Sequence, residues 1–230
     1  MQEFLEVAAS NSSPKKDIEN ETNGLKLISG LEVTENDIRQ ALELDYLVYK
    51  YDDSFQFPIE KCLEWHSINP DVYFMLKDIV EDKIIAYVNL APITKECFDI
   101  IITGEVWDIE ISEDDLLSYD FPGVYYLNFT SIVVHPDHRN VGCINKFIDA
   151  IVNKIILLSR QEIYFKAMIA DAVTKEGEKF CKMFGMQKAI ETKHGSKIYS
   201  VSLLPPEFKK SSKSITRLFE YYQQLEVEGE

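Results

Sequence analysis

The sequence has few cysteines and no pairing pattern among them. Its 230 residues include four cysteines, and no two of them form a Cys-x-x-Cys pair: Cys62, Cys97, Cys143 and Cys181. This spacing is unlike the usual zinc motifs and unlike a dense disulfide framework, so we expect no metal site. It is typical of a protein in a reducing compartment.

Long hydrophobic runs and a basic N-terminal segment are also lacking. No stretch approaches the roughly 18 uncharged apolar residues of a membrane span. The first residues, Met1-Gln2-Glu3-Phe4, lack the positive charge and apolar run of a secretion signal. We therefore expect a cytoplasmic protein with no membrane partner.

Basic residues are scarce relative to acidic ones. The chain has 24 Lys and Arg against 39 Asp and Glu, a formal net charge of −15. An acidic surface repels phosphates, so the balance argues against nucleic acid as the main partner. It leaves room for a basic substrate such as an amine, although solubility alone also explains a surplus of acidic residues.

What is present fits a globular domain with appendages. The hydrophobic share of 46% and the charged share of 27% are ordinary for such a protein. The polar residues 1–24 are expected to be a flexible tail. Residues 25–204 form the predicted domain, with an insertion at 94–124, and residues 205–230 form a predicted C-terminal amphipathic helix extension.

Hydrophobic periodicity predicts interleaved strands and helices. Thr34 is the expected N-cap of the first helix, and Pro92 is expected to close the third strand. Strands are predicted at 25–28, 72–76, 83–90, 125–134, 162–172 and 197–204, and helices at 34–49, 58–68, 96–102, 141–155, 175–184 and 215–225. The order predicts an α/β or α+β fold with a central mixed sheet flanked by helices.

The most informative segment is a strand, a proline turn and a glycine that opens a helix. Val133-Val134-His135-Pro136 is followed by Arg139-Asn140-Val141-Gly142-Cys143-Ile144. A glycine there lets backbone approach a ligand, and the unpaired N–H groups of a helix start attract phosphate. Arg139 adds a charge-assisted donor. A glycine that merely shortens the turn would give the same pattern.

This segment resembles the acetyl-CoA-binding motif of the GNAT superfamily of N-acetyltransferases. The resemblance continues through Thr174 to Gly185 and through Ile84 to Val88, and it spans about residues 25 to 204. It implies a GNAT-like fold whose strands at 125–134 and 163–172 splay apart. It also implies acetyl-CoA, or another acyl-CoA, bound through these residues: Ile132, Val133, Val134, Arg139, Asn140, Val141, Gly142, Cys143, Ile144, Asn145 and Thr174.

The catalytic positions depart from that pattern. Cys181 stands where the family has a tyrosine that protonates CoA thiolate, and Thr130 or Asn128 stands where it often has a glutamate base. These three are the candidate catalytic residues, although the favoured interpretation of Cys181 is a small buried apolar residue on the helix face. The carboxylates Glu110, Glu113 and Asp171 either reach the site or belong to solvated faces. Ile144 replaces a second small residue, and its helical spacing with Ile148 directs it to the core.

The resemblance implies an N-acyltransferase that moves acetyl from acetyl-CoA to a primary amine in a ternary complex. The acceptor would be a small molecule or a peptide, and the protein a monomer or a homodimer. The alternative is a GNAT-like module that binds acyl-CoA without catalysis, as a sensor or interaction protein. The absence of the usual tyrosine and glutamate motivates that alternative.

Overall fold

A seven-stranded mixed sheet forms the centre of the molecule. The computed structural model describes residues 24–50, 57–106, 110–139, 142–204 and 212–228, with side chains to residue 225. The strands lie in the order β1-β2-β3-β4-β5-β7-β6. They are β1 Leu25–Ser29, β2 Tyr73–Asp78, β3 Lys83–Ile93, β4 Gly123–Val134, β5 Ile163–Ala172, β6 Gln187–Glu191 and β7 Lys197–Ser202.

Neighbouring strands are antiparallel except for β4 and β5, which run parallel. Helices cover both faces, as the buried character of the central strands requires. The helices are α1 Glu35–Tyr49, α2 Ile59–Ile68, α3 Lys95–Ile101, α4 Cys143–Ser159, α5 Lys175–Met183 and α6 Lys213–Glu228. The predicted mixed sheet flanked by helices is confirmed.

Two hydrophobic clusters lie on opposite faces of the sheet. One contains the apolar sides of α1, α2 and α3, centred on Ile38, Trp65 and Phe98. The other contains those of α4, α5 and α6, including Phe147 and Phe180. The sheet is therefore the middle of three layers, and a separate set of helices covers each of its faces.

The first helix begins as its sequence predicts. The Thr34 side chain accepts a hydrogen bond from the Asp37 N–H at 3.2 Å, and the Asp37 carboxylate accepts one from the Thr34 N–H at 3.0 Å. This capping box satisfies two N–H groups that the helix itself cannot. It fixes the start of α1, and so the positions of the side chains that α1 sends toward the sheet.

One sequence prediction about the strands is wrong, and one strand was not predicted. Pro92 does not close the third strand, because β3 continues through it to Ile93, paired with β4. Pairing with β2 ends at Asn89, and beyond it the C=O of Pro92 accepts a hydrogen bond from the N–H of Leu117 at 2.9 Å, on the side away from β4. The N–H that proline lacks would point to that same side, so its absence removes no bond between β3 and β4. Strand β6 is absent from the predicted elements.

The C-terminal helix α6 packs on its own domain. The hydroxyl of Tyr222 accepts a hydrogen bond from the N–H of Phe165 on β5 at 3.1 Å and lies 3.2 Å from the hydroxyl of Ser159 on α4. Among the residues placed in the structure, no helix is both long and apolar enough to cross a membrane. The predicted tail lies almost wholly outside the described residues.

Candidate functional site

The parallel strands β4 and β5 separate part-way along their length. They are paired from Gly123 with Ile163 to Phe129 with Ala170. Beyond that point β4 continues to Val134 beside β3 alone. At the divergence β4 carries a bulge, because Ser131 pairs with Asn89 and Phe129 with Leu90, which leaves Thr130 as the extra residue. A bulge of this kind bends the strand and frees a backbone group from the ladder.

The backbone beyond the bulge presents polar groups to the gap. The N–H of His135 donates to the C=O of Ile85 at 2.8 Å, so this residue faces β3. Successive residues of a strand direct their backbone groups to opposite sides, and those of Val134 and Ile132 therefore face the gap. The hydroxyl of Tyr49 donates to the C=O of Ile132 at 2.8 Å from that side.

A cavity of about 430 Å³ opens between the diverging strands. Its walls come from α1, α2, β3, the separated ends of β4 and β5, the start of α5 and the β6–β7 turn. This volume suits a small ligand or the reactive end of a larger one. Its lining residues include Asp45, Tyr49, Trp65, Tyr73, Tyr87, Asn89, Thr130, Ile132, Asp171, Thr174, Cys181 and Ser196.

Asp171 is a partly buried carboxylate near the end of β5. Its Oδ2 accepts a hydrogen bond from the Ser196 hydroxyl at 3.0 Å. Its Oδ1 is buried and accepts none from the described part of the chain. Burial raises the pKa of Asp171, against the lowering effects of Ser196 and His194. Such a carboxyl has an increased affinity for a proton.

Asp45 is a second carboxylate in the same cavity, on α1. Its Oδ1 accepts hydrogen bonds from the hydroxyls of Tyr87 at 2.6 Å and Ser131 at 2.9 Å. Burial raises the pKa of Asp45 more than these two bonds lower it. The group thus links α1, β3 and β4 at the point where the sheet opens.

The glycine turn lies at the other end of the gap. Gly142 has φ 72° and ψ 22°, the left-handed conformation that residues with a Cβ adopt only with strain. It directly precedes α4, and no side chain caps the first turn of that 17-residue helix. A Cβ at Gly142 would meet no described residue within 4 Å apart from its chain neighbours, so there is open space beside the turn. The turn therefore has the features of an anion site.

The arrangement matches solved structures of one fold. No protein-family model and no curated sequence matches the chain. The loading GNATL domain of CurA from Lyngbya majuscula superposes with a TM-score of 0.55 at 14% identity, covering 78% of this chain and 98% of that one. The fold is that of the GNAT superfamily. Similarity at this identity establishes the fold and nothing further.

Two further solved structures are similar to the chain, with lower TM-scores. N-acetyltransferase from Staphylococcus aureus Mu50 has a TM-score of 0.48 at 11% identity, covering 77% of this chain and 98% of that one. Ard1 from Thermoplasma volcanium has a TM-score of 0.48 at 10% identity, covering 77% and 95%.

Within this GNAT fold, the predicted cofactor residues fall into three groups. Ile132 and Thr174 line the cavity, and the Thr174 hydroxyl caps α5 by accepting from the Gly177 N–H at 3.0 Å. Arg139, Gly142 and Asn145 are exposed around the turn, while the side chains of Val133, Val134, Cys143 and Ile144 lie wholly or partly in the interior. Ile144 packs against the core, as its spacing with Ile148 predicts. Asn140 and Val141 lie outside the described residues.

The three predicted catalytic residues occupy different surroundings. Thr130 and Cys181 line the cavity. Asn128 is fully buried and is not one of the described residues that form its walls. Burial raises the pKa of the Cys181 thiol to about 12. Because CoA thiols resemble cysteine, with an ordinary pKa of roughly 8.5, Cys181 holds its proton more tightly than a CoA thiolate would.

Of the two cavity carboxylates, Asp171 was named as a candidate from the sequence and Asp45 was not. Asp171 does not belong to a solvated face, whereas Glu110 and Glu113 are exposed. The signal for Asp45 was its position: it follows Ile38 by seven residues and Ala41 by four, and so lies on the apolar face of α1. An acidic residue on a buried helical face is a strong sign of a specific role.

Proposed function

We propose that this chain is an acyl-CoA-dependent N-acyltransferase that transfers acetyl from acetyl-CoA to a primary amine in a ternary complex. One observation supports this above the others. A partly buried carboxylate, Asp171, lines the cavity into which the backbone of the diverging strand β4 also opens. A proton acceptor and polar backbone groups are what aminolysis of a thioester requires.

The glycine turn is suited to the phosphates of acetyl-CoA. The uncapped N–H groups of the first turn of α4 would hold the pyrophosphate, with the exposed Arg139 contributing charge. The backbone groups of Val134 and Ile132 would bind the pantetheine amides. The C=O of Ile132 already accepts a hydrogen bond from the Tyr49 hydroxyl, so it faces the gap as an acceptor but is occupied. Binding at Ile132 would displace this hydroxyl.

In the proposed reaction the acceptor nitrogen attacks the thioester carbonyl carbon. The C–N bond forms, the C–S bond breaks, and its electron pair goes to sulfur. Asp171 accepts the proton that the amine loses, and the thiolate takes a proton from solvent to leave as CoA. The backbone N–H of Thr130, at the bulge, is the proposed donor to the carbonyl oxygen. Cys181 serves as an apolar wall in this scheme, because its thiol is too weak an acid.

The test combines cofactor binding with turnover. Calorimetry with acetyl-CoA should give measurable heat, and Arg139→Ala should weaken binding by about tenfold. Arg160→Ala is the control, because Arg160 is an exposed arginine at the opposite end of α4. Free CoA should accumulate when primary amines are added, and absence of heat with acetyl-CoA would refute the proposal.

The alternative function is an acyl-CoA-binding module without catalysis. The observation that favours it is the pKa of about 12 for Cys181, at the position where the resemblance implies an acid. Tight binding of acetyl-CoA, with no CoA release across a panel of amines and peptides, would favour the module over the enzyme.

A further inference from the structure

The carbonyl of Ile132 is a backbone acceptor that the sheet leaves without a strand partner. Pairing between β4 and β5 ends at Phe129 and Ala170, so the side of Ile132 that faces the gap has no ladder donor. The Tyr49 hydroxyl donates to this carbonyl at 2.8 Å, and both residues line the cavity. Backbone carbonyls in protein interiors are almost always paired, and Tyr49 supplies the donor that β5 does not.

Helix α1 contacts β4 at two points just beyond the bulge. The Ser131 hydroxyl donates to Asp45 Oδ1 at 2.9 Å, and the Tyr49 hydroxyl donates to the C=O of Ile132. Asp45 and Tyr49 stand at positions i and i+4 and therefore lie on the same face of α1. Because Asp45 also accepts from the Tyr87 hydroxyl at 2.6 Å, the helix stays attached to the sheet when Tyr49 moves.

Tyr49 lies at a point where α1 can yield locally. It is the last residue of the helix, and Lys50 follows it at φ 49° and ψ 45°. This left-handed conformation is strained for a residue that carries a Cβ. The ends of helices open at little cost in free energy. The Tyr49 side chain is therefore able to leave the gap without the unfolding of α1.

The Tyr49 hydroxyl keeps its proton and makes the same kind of bond as an amide N–H. Burial raises the pKa of Tyr49, and the negative charges of Asp45 and Glu176 add to the increase, against the opposing effect of Arg139. A protonated phenol donates a hydrogen bond to a carbonyl, as an amide does. The hydroxyl reaches Ile132 from the gap, which is the direction from which a pantetheine amide would also approach.

We propose that Tyr49 competes with the pantetheine arm: its hydroxyl occupies the Ile132 carbonyl in the free protein and leaves when an acyl-CoA binds. This inference rests on the proposed function, because it concerns the regulation of the same cofactor site. The competition lowers the affinity for every ligand that carries the arm, the product CoA included. Return of the hydroxyl to Ile132 therefore favours the release of CoA after transfer.

The test is calorimetry with Tyr49→Phe, which keeps the ring but removes the hydroxyl. Acetyl-CoA and CoA should each bind this variant about two- to tenfold more tightly than the wild-type protein, because the free state loses one hydrogen bond and the bound state loses none. The ligand 3′-phospho-ADP, which is CoA without the pantetheine arm, should show no gain. Tyr46→Phe is the control, because Tyr46 is 45% exposed on the same helix.

Two kinds of result would contradict the competition. Unchanged or weaker binding of acetyl-CoA by a folded Tyr49→Phe protein overturns it, and weaker binding would make the hydroxyl a contact of the cofactor instead. An equal gain for 3′-phospho-ADP, or for Tyr46→Phe, also overturns it, because the effect would then depend on neither the arm nor the Ile132 carbonyl. Failure of acetyl-CoA to bind either protein refutes the proposed function, whereas equal binding to both refutes only the competition.

Discussion

Asp171 and Cys181 line the same cavity, and burial changes their chemical roles in opposite ways. It makes the carboxyl a better proton acceptor, because its raised pKa lies closer to that of an amine. It makes the thiol a poorer proton donor, with a pKa of about 12. In the proposed reaction, the environment of each side chain, rather than its residue type, thus decides which one exchanges a proton with the substrate.

Replacing Asp171 should therefore separate binding from turnover. Asp171→Asn should lower kcat by about a hundredfold or more, because the amide cannot take the proton of the amine. The dissociation constant for acetyl-CoA should stay within about twofold of wild type. Cys181→Ala should leave kcat within about tenfold, and a larger loss in this variant would restore the thiol as the acid.

The same burial makes Asp171 a source of pH-dependent stability. Its folded pKa is raised above the ordinary 3.8. Its stabilising contribution is thus fully present below the unfolded pKa and is lost as pH rises through the folded pKa. We expect the free energy of unfolding to fall between ~pH 4 and the raised pKa, and Asp171→Asn to flatten this slope. Urea denaturation across pH measures both, and exposed Asp137→Asn is the control.

Neither carboxylate could be assigned from the sequence, for different reasons. Asp171 ends a strand, where acidic residues are commonly solvated, and only the divergence of β4 from β5 encloses it. Asp45 lies on the apolar face of α1, so its burial was predictable from spacing. Its partners, Tyr87 and Ser131, are 42 and 86 residues away along the chain, and periodicity carries no information about such contacts.

At the scale of elements, predictions succeeded where one face of an element is buried. Helix α4 has apolar residues at intervals of three and four, and its core position follows from that pattern. Strand β6 was missed because all five of its residues are exposed at the edge of the sheet, so no alternation marks it. The bulge at Thr130 was also unpredictable, because it depends on the register between two strands.

The turn before α4 offers a test at this scale. Gly142→Ala should cost about 1–2 kcal/mol of stability, because an L-residue is strained at φ 72°. It should also weaken acetyl-CoA binding if the turn holds the pyrophosphate. Gly24→Ala introduces similar strain, at φ 74°, away from the site. An equal loss of acetyl-CoA affinity in both variants would show that strain alone, not the turn, is responsible.

At the scale of the whole molecule, the contact that anchors α6 and the candidate site lie at opposite ends of β5. Helix α6 contacts the beginning of β5 through the hydrogen bond from the Phe165 N–H to the Tyr222 hydroxyl. The cavity lies at the other end of β5, beside Asp171. At about 3.3 Å per residue, the six steps from Phe165 to Asp171 separate the two regions by roughly 20 Å. Contacts at this distance contribute additively in most proteins.

Tyr222→Phe should thus reduce stability without affecting the site. Removing the hydroxyl leaves the buried N–H of Phe165 without its acceptor, which should cost about 1–3 kcal/mol of unfolding free energy. Tyr221→Phe, at the half-buried neighbouring position, is the matched control and should cost less. Denaturant unfolding and acetyl-CoA calorimetry on both variants test the separation. Because the strand between the two regions is packed on both faces, a parallel loss of acetyl-CoA affinity in Tyr222→Phe would mean that α6 holds the cavity in shape through β5.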